Sequence, residues 1–260
     1  MSKEHKEYLK KYKREKIIVI FFQIFILVGF LVLWEVLSKY EIINPFIFSS
    51  PSRILTTIKN LYLNYDLICH ILTTLYETLI AFILGITLSF IIAIILYEFK
   101  TLNKIVDPYL TMLNSLPKVA LGPLIIIISG ANTKSIIVMA LLINLIVGIM
   151  SIYNGFNNID KDLIKLFKTF NASRLDILLK LTIPASYKTI ISSLKLNISM
   201  TLIGVIMGEF LVSKSGIGYL IIYGTQVFNL DMVMSGIVLL VIISFVLYKI
   251  ITYIEKKLLK

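Results

Sequence analysis

The sequence predicts an all-α membrane protein: six transmembrane helices and, between the fourth and the fifth, a charged two-helix insert. Three observations carry this. Apolar residues make up 58% of the 260-residue chain and the mean hydropathy is +0.90, well above the roughly 45–50% apolar share of soluble domains. The apolar runs are continuous rather than alternating, which specifies helices and not barrel strands, because a bilayer offers the backbone no water to bond with. The segment NIDKDLIKLFKTFNASRLDILLKLTIP, ending at Pro184, is too charged for a bilayer yet keeps helical spacing.

Taken in order, residues 1–16 read as a basic tail, for which charged helix and disorder are both open and whose expected role is topogenic and lipid-facing. Residues 17–260 read as one transmembrane domain. Its first span, Ile17 to Leu37, is interrupted only by Gln23 and Glu35, and at ~1.5 Å per residue it covers a ~30 Å hydrocarbon core. It is longer than a signal-peptide apolar region and no small-residue cleavage site follows, so it is expected to remain as an anchor. In INPFIFSSPSRILTTIKNLYLN, Ser50 is a candidate N-cap and Pro51 sits at the first helical position. Ile54, Leu55, Ile58, Leu61 and Tyr62 then form one face of a short amphipathic helix expected on the outer interface.

Further spans are expected at Tyr76–Tyr97, Tyr109–Ser129, Ser135–Tyr153, Thr189–Val212 and Met232–Tyr253. The third of the six is the least regular, because Pro117, Gly122 and Pro123 interrupt it. A proline-broken membrane helix marks a transport path or a kink satisfied by its neighbours, and both readings are open. Gly130 and Asn132 turn the chain into the fourth span.

The net charge of +11 invites a nucleic-acid reading, but the basic residues sort by membrane side instead of forming one patch. Lys3 to Lys16, Lys100, Lys104, Lys118, Lys195, the six from Lys161 to Lys188, and Lys249 to Lys260 share one side, 21 of the 26. Lys39, Arg53, Lys59, Lys134 and Lys214 fall on the other. The positive-inside rule then places both termini and the insert in the cytoplasm of a multi-pass plasma-membrane protein. Cys69 is alone and the only histidines are His5 and His70, so neither an intrachain disulfide nor a His/Cys zinc site is expected. The chain lacks a G-x-x-x-x-G-K-[ST] phosphate loop. Gly216-x-Gly218 reads as a turn, and no serine has a base near it within a span, so catalysis is not expected.

In the insert, Asp160 is placed to cap a helix carrying Leu163, Leu166, Phe167 and Phe170 as an apolar stripe. Asn171 stops it, because Asn tolerates the left-handed conformation at helix ends. Ser173 and Asp176 form a capping-box variant that starts a second helix, which Pro184 is expected to end before the fifth span. Two short helices with apolar and basic faces suit a groove in a cytoplasmic partner, and the competing reading is an interfacial helix on anionic lipid. In the fifth span Ser193, Asn197, Thr201, Gly204 and Gly208 fall within a ~80° arc. Helix packing and lining of a translocation path are both open for this face and for Asn144. Glu209, at the outer end of its helix, is expected to be a surface or hinge residue, with a gate role as the alternative.

The insert resembles the EAA loop of ABC importer permeases, whose pattern is E-A-A, three residues, Gly, and a proline thirteen positions on. Asn171 takes the Gly place and Pro184 the proline place, while Lys165, Leu166 and Phe167 replace the E-A-A triplet. NPFIFSSPSRIL, NSLPKVALGPLIII and GEFLVSKSGIGYLI look like segments of the nitrate/sulfonate/taurine branch, which also includes permeases for vitamin precursors. Glu77 departs from the basic residue that this branch often carries. The resemblance implies a type I ABC importer permease fold with the coupling loop at residues 156–186. It also implies ATPase docking by Lys165, Phe167, Phe170, Asn171, Ala172, Ser173, Arg174, Asp176 and Pro184. The implied partners are a second permease copy or paralogue, two ATPase subunits that hold ATP and Mg, and an extracytoplasmic binding protein. No cofactor is implied in this chain, and the implied solute is a small anion such as a sulfonate, taurine or nitrate. A six-helix scaffold binding a non-ATPase partner is the alternative from another class.

Overall fold

Helix formers and long apolar runs leave the backbone one way to satisfy itself, and in a computed structural model describing residues 3–258 every regular element is helical. The order is α1 (Lys3–Lys39), α2 (Pro45–Phe48), α3 (Pro51–Asn64), α4 (Leu67–Glu98), α5 (Lys100–Ser115), α6 (Gly122–Ser129), α7 (Thr133–Asn157), α8 (Lys161–Thr169), α9 (Arg174–Ile177), α10 (Ile183–Val212), α11 (Ile217–Gln226) and α12 (Leu230–Leu258). A 3-10 turn, Lys118–Leu121, precedes α6, and a π turn, Leu178–Thr182, joins α9 to α10. Among the described residues five helices are long and apolar enough to cross a membrane, and α5 with the segment 118–129 makes a sixth if that bent pair is one span. Five of the six spans expected from the sequence are present, most of them longer at their ends, and the third, Tyr109–Ser129, is instead a pair of helices bent at 89°. The basic tail from Lys3 onward continues α1 as helix, and residues 1, 2, 259 and 260, including Lys260, lie outside the described residues.

The chain falls into two units. One comprises residues up to 65 with 224–235, and the other residues 66–223 with 236 onward. In the first unit, polar side chains tie the end of α1 to α2 and α3. Ser38 donates its hydroxyl to the Ser49 carbonyl at 3.0 Å, and Glu35 accepts from the Ser52 N–H at 3.0 Å and its hydroxyl at 2.7 Å. Asp231 accepts from the Ser49 hydroxyl at 2.7 Å and from the Arg53 guanidinium at 2.6 Å. Ser50 caps α3 with Pro51 in its first turn, as the sequence specifies. The covered face of α3 is Ile54, Ile58 and Leu61, while Leu55 and Tyr62 are exposed. The covered residues follow the i, i+4, i+7 line of the helix, and Leu55 and Tyr62 of the expected apolar face lie beside it.

In the second unit α4, α7 and α10 form the core. Ala81, Ile136, Ala140 and Val205 pack together toward one end, and Ala93, Ile152 and Phe156 toward the other. Small residues set the spacing: a Cβ on Gly204 would lie 2.5 Å from the Ala140 Cα, and one on Gly208 would lie 2.9 Å from Ile136. That is the close-approach packing of small residues in membrane helices. Leu116, extended at ψ 141° ahead of Pro117, breaks the third span as pre-proline backbone does, and the pieces on either side meet at 89°.

Candidate docking site and a buried polar seam

Asp160 accepts from the Asp162 N–H at 2.9 Å and so starts α8. At the other end Asn171 takes φ +55°, the Ala172 N–H donates to the Phe167 carbonyl at 3.1 Å, and the Asn171 N–H to the Lys168 carbonyl at 3.0 Å. These two bonds are the Schellman pair. Its apolar clasp is present too, since Phe167 and Ala172 pack with Ile164 on the buried Ile159, Ile177 and Leu181. One residue on, the Ser173 hydroxyl accepts from the Asp176 N–H at 3.1 Å and the Asp176 carboxylate from the Ser173 N–H at 3.2 Å, a complete capping box. The turn between the helices is therefore fixed by four local hydrogen bonds.

Pro184 does not end the second helix, contrary to the expectation from sequence. Residues 174–212 run on as one apolar helix, and the Ile183 N–H bonds five residues back to the Leu178 carbonyl. A proline ring inside an α-helix clashes with the carbonyl four residues before it. The π turn at 178–182 widens the backbone there, so the helix passes Pro184 without breaking. Thr182, fully buried, holds this turn to α4 through the Tyr97 hydroxyl at 3.1 Å, and Ser186 donates to the Gly155 carbonyl at 3.0 Å.

The insert is anchored on one side and bare on the other. Ile164, Phe167 and Ala172 turn inward, while Leu163, Leu166, Phe170, Leu175 and Leu179 are exposed, Phe170 at 77%. Lys165, Asn171, Ser173, Arg174 and Pro184 are exposed and Asp176 is half-buried. Beside the insert a cleft of about 1150 Å³ runs along the α4–α5 junction and the end of α7, lined among others by Lys100, Lys161, Lys165, Lys168 and Arg174.

Asn144, Ser193, Asn197, Thr201, Gly204 and Gly208 are all buried. The Asn144 amide donates to the Ala81 carbonyl at 3.1 Å and the Thr201 hydroxyl at 2.7 Å, while Asn197 donates to the Ser193 carbonyl at 3.0 Å. Together they form a polar seam where α4, α7 and α10 meet. Glu209 belongs to a second cluster and is 1% exposed, not the surface residue expected. Its carboxylate accepts from the Thr74 hydroxyl and from the Gly218 N–H, both at 2.6 Å. Gly216-x-Gly218 is the turn expected, and it also receives this carboxylate: Gly216 has φ +105°, and a Cβ on Gly216 or Gly218 would lie 2.3 or 2.7 Å from a Glu209 oxygen. Sequence reasoning missed this cluster and the ion pair of Lys195 with Glu255 between α10 and α12. The available signal was the pairing of an intramembrane acid with a G-x-G a few residues on.

Residues 85–260 match the family described as binding-protein-dependent transport system inner membrane component. A probable ABC transporter permease protein of Haemophilus influenzae is 30% identical over 219 residues, covering 84% of this chain and 88% of the relative. A putative aliphatic sulfonates transport permease protein of Bacillus subtilis is 25% identical over 228 residues, covering 88% and 83%. In fold, the chain resembles one from inward-facing conformations of the MetNI methionine ABC transporter, with TM-score 0.67 and 18% identity over 75% of this chain and 96% of that one. Members of the family are ABC transporter permeases, membrane subunits of transport systems and not enzymes, and ATP is hydrolysed by partner ATPase subunits. The bundle, the insert and these matches agree, and the chain belongs to the binding-protein-dependent transport system inner membrane component family.

Proposed function

We propose that the chain translocates a small organic anion of the aliphatic sulfonate kind, and that its insert docks a cytoplasmic ATPase. The assembly we infer contains a second permease copy or paralogue, two ATPase subunits holding ATP and Mg, and an external binding protein that delivers the solute. Both termini and the insert face the cytoplasm in this reading, which the distribution of basic residues supports.

The single observation that carries the docking role is the bare apolar face of an insert whose turn is locked from within. Leu163, Leu166, Phe170 and Leu175 are exposed while the Schellman pair and capping box hold their backbone. A preorganised apolar anchor loses little conformational entropy on binding, which favours a shaped protein groove. Because the second insert helix runs through the π turn into α10, a displacement of the insert carries directly into the seam with α4 and α7. In this mechanism ATP binding draws two ATPases together, moves the insert of each permease and opens the path to the outside, and hydrolysis resets it. The buried seam moves as a packed body, and the path lies along faces this chain offers to its partner permease. The solute class is supported by the name of the Bacillus subtilis relative.

The test is a double variant, Leu166→Ser with Phe170→Ser. Both side chains are exposed, so the bundle should fold normally while the ATPase no longer co-purifies and uptake of labelled ethanesulfonate or taurine is lost. Retained co-purification overturns the docking role. In the wild type, normal assembly with uptake of neither solute overturns the solute class alone.

A further inference from the structure

Glu77 lies fully inside the second unit, 1% exposed, and neither of its carboxyl oxygens has a hydrogen-bond partner. The Glu209 carboxyl and the Thr133 hydroxyl face it at looser side-chain contact, without the geometry of a formed hydrogen bond. The next residue, Thr78, is buried with its hydroxyl also unpartnered. Glu209 is differently placed, with donors from Thr74 and the Gly218 N–H. Neither carboxyl has an ion-pair partner among the described residues. His70 is tied to this cluster as well, its Nδ1 accepting from the Gly216 N–H at 3.0 Å, and its ring stacks on Tyr219 of α11 at 5.8 Å. Two carboxylates meeting away from water, with no basic side chain between them, need positive charge from elsewhere. The free donor atoms of the pair and its threonine neighbours are all oxygens, which select a hard cation over a soft one.

We propose that Glu77 and Glu209 form a buried site for one small hard cation, a proton or a sodium ion, whose occupancy fastens the Gly216–Gly218 loop to the ends of α4 and α10. The loop is bound there by Glu209 through Gly218, by Thr74 through the Ile217 N–H at 2.9 Å, and by His70 through Gly216. With the site empty, repulsion between the two carboxylates pushes apart the elements those bonds join. With it filled, the repulsion becomes a shared attachment. The proposal concerns residues outside the insert and stands whether or not the insert docks an ATPase.

The experiment compares the full chain in lipid nanodiscs, wild type against Glu77→Gln, by thermal midpoint. One arm replaces choline by sodium at equal ionic strength of about 0.15 M and about pH 8. The other moves from about pH 8 to about pH 6 in choline alone. We expect one arm to raise the wild-type midpoint by ~2–4 °C more than that of Glu77→Gln, the size of a ligand bound only by the native state. A sodium response identifies the metal ion, and a response to acid alone identifies the proton. If Glu77→Gln does not fold, Glu77→Met makes the same comparison. Equal shifts of wild type and variant in both arms overturn the proposal.

Discussion

At Asn171 one backbone angle sets the geometry of the whole insert. φ +55° there brings the Ala172 and Asn171 N–H groups onto the last carbonyls of α8. Asn171→Gly should therefore be nearly neutral, since Gly enters the left-handed region freely, whereas Asn171→Val should misdirect the second helix. Co-purification of the ATPase is the readout, and normal assembly of Asn171→Val would contradict the assignment. Ser173→Ala removes a side-chain cap and should cost about 0.5–2 kcal/mol of local stability, visible as faster amide exchange at Asp176. These residues were legible in the sequence because caps and helix stops are local. Glu209 was less so: Gly218, in the first turn of α11, is nearby in sequence, but Thr74 comes from α4 and sequence spacing carries no sign of it.

At the level of elements, the continuity of α9, the π turn and α10 matters most. A proline normally ends a helix, and the sequence alone predicts that of Pro184. The structure shows the alternative, a local widening that keeps the helix whole. If that continuity transmits motion, replacing Leu179 and Lys180, both exposed, by glycine should soften the link, each costing ~1 kcal/mol of helix propensity. ATPase assembly should persist while solute-stimulated hydrolysis falls, and unchanged stimulation would show that the π turn transmits nothing. Packing gives a second prediction. Gly204→Ala places a methyl 2.5 Å from the Ala140 Cα, an overpacking expected to cost about 1–3 kcal/mol, read as a lower thermal midpoint. The i, i+4, i+7 pattern of this seam was visible in the sequence, but which helices it would meet was not.

For the whole molecule, composition and continuous apolar runs specify the helical class and five of the expected spans, because bilayer physics leaves so few solutions. The 89° bend at Pro117 was foreseen as irregularity but not as an angle, which depends on how neighbouring helices receive the two pieces. Charge sorting gives the topology its own test. In a Cys69→Ser background, a cysteine at Lys214 should label from outside and one at Lys168 should not, and external labelling at 168 would invert the arrangement. The central claim is that the insert meets a protein and not the lipid surface. Its most direct measurement is a photo-crosslinking residue at Phe170, 77% exposed on the bare face, in membranes carrying the co-expressed ATPase. The account predicts an adduct of the permease with the ATPase whose yield changes when ATP is added. Adducts with lipid alone, in the presence of an ATPase that is abundant and active, would contradict it.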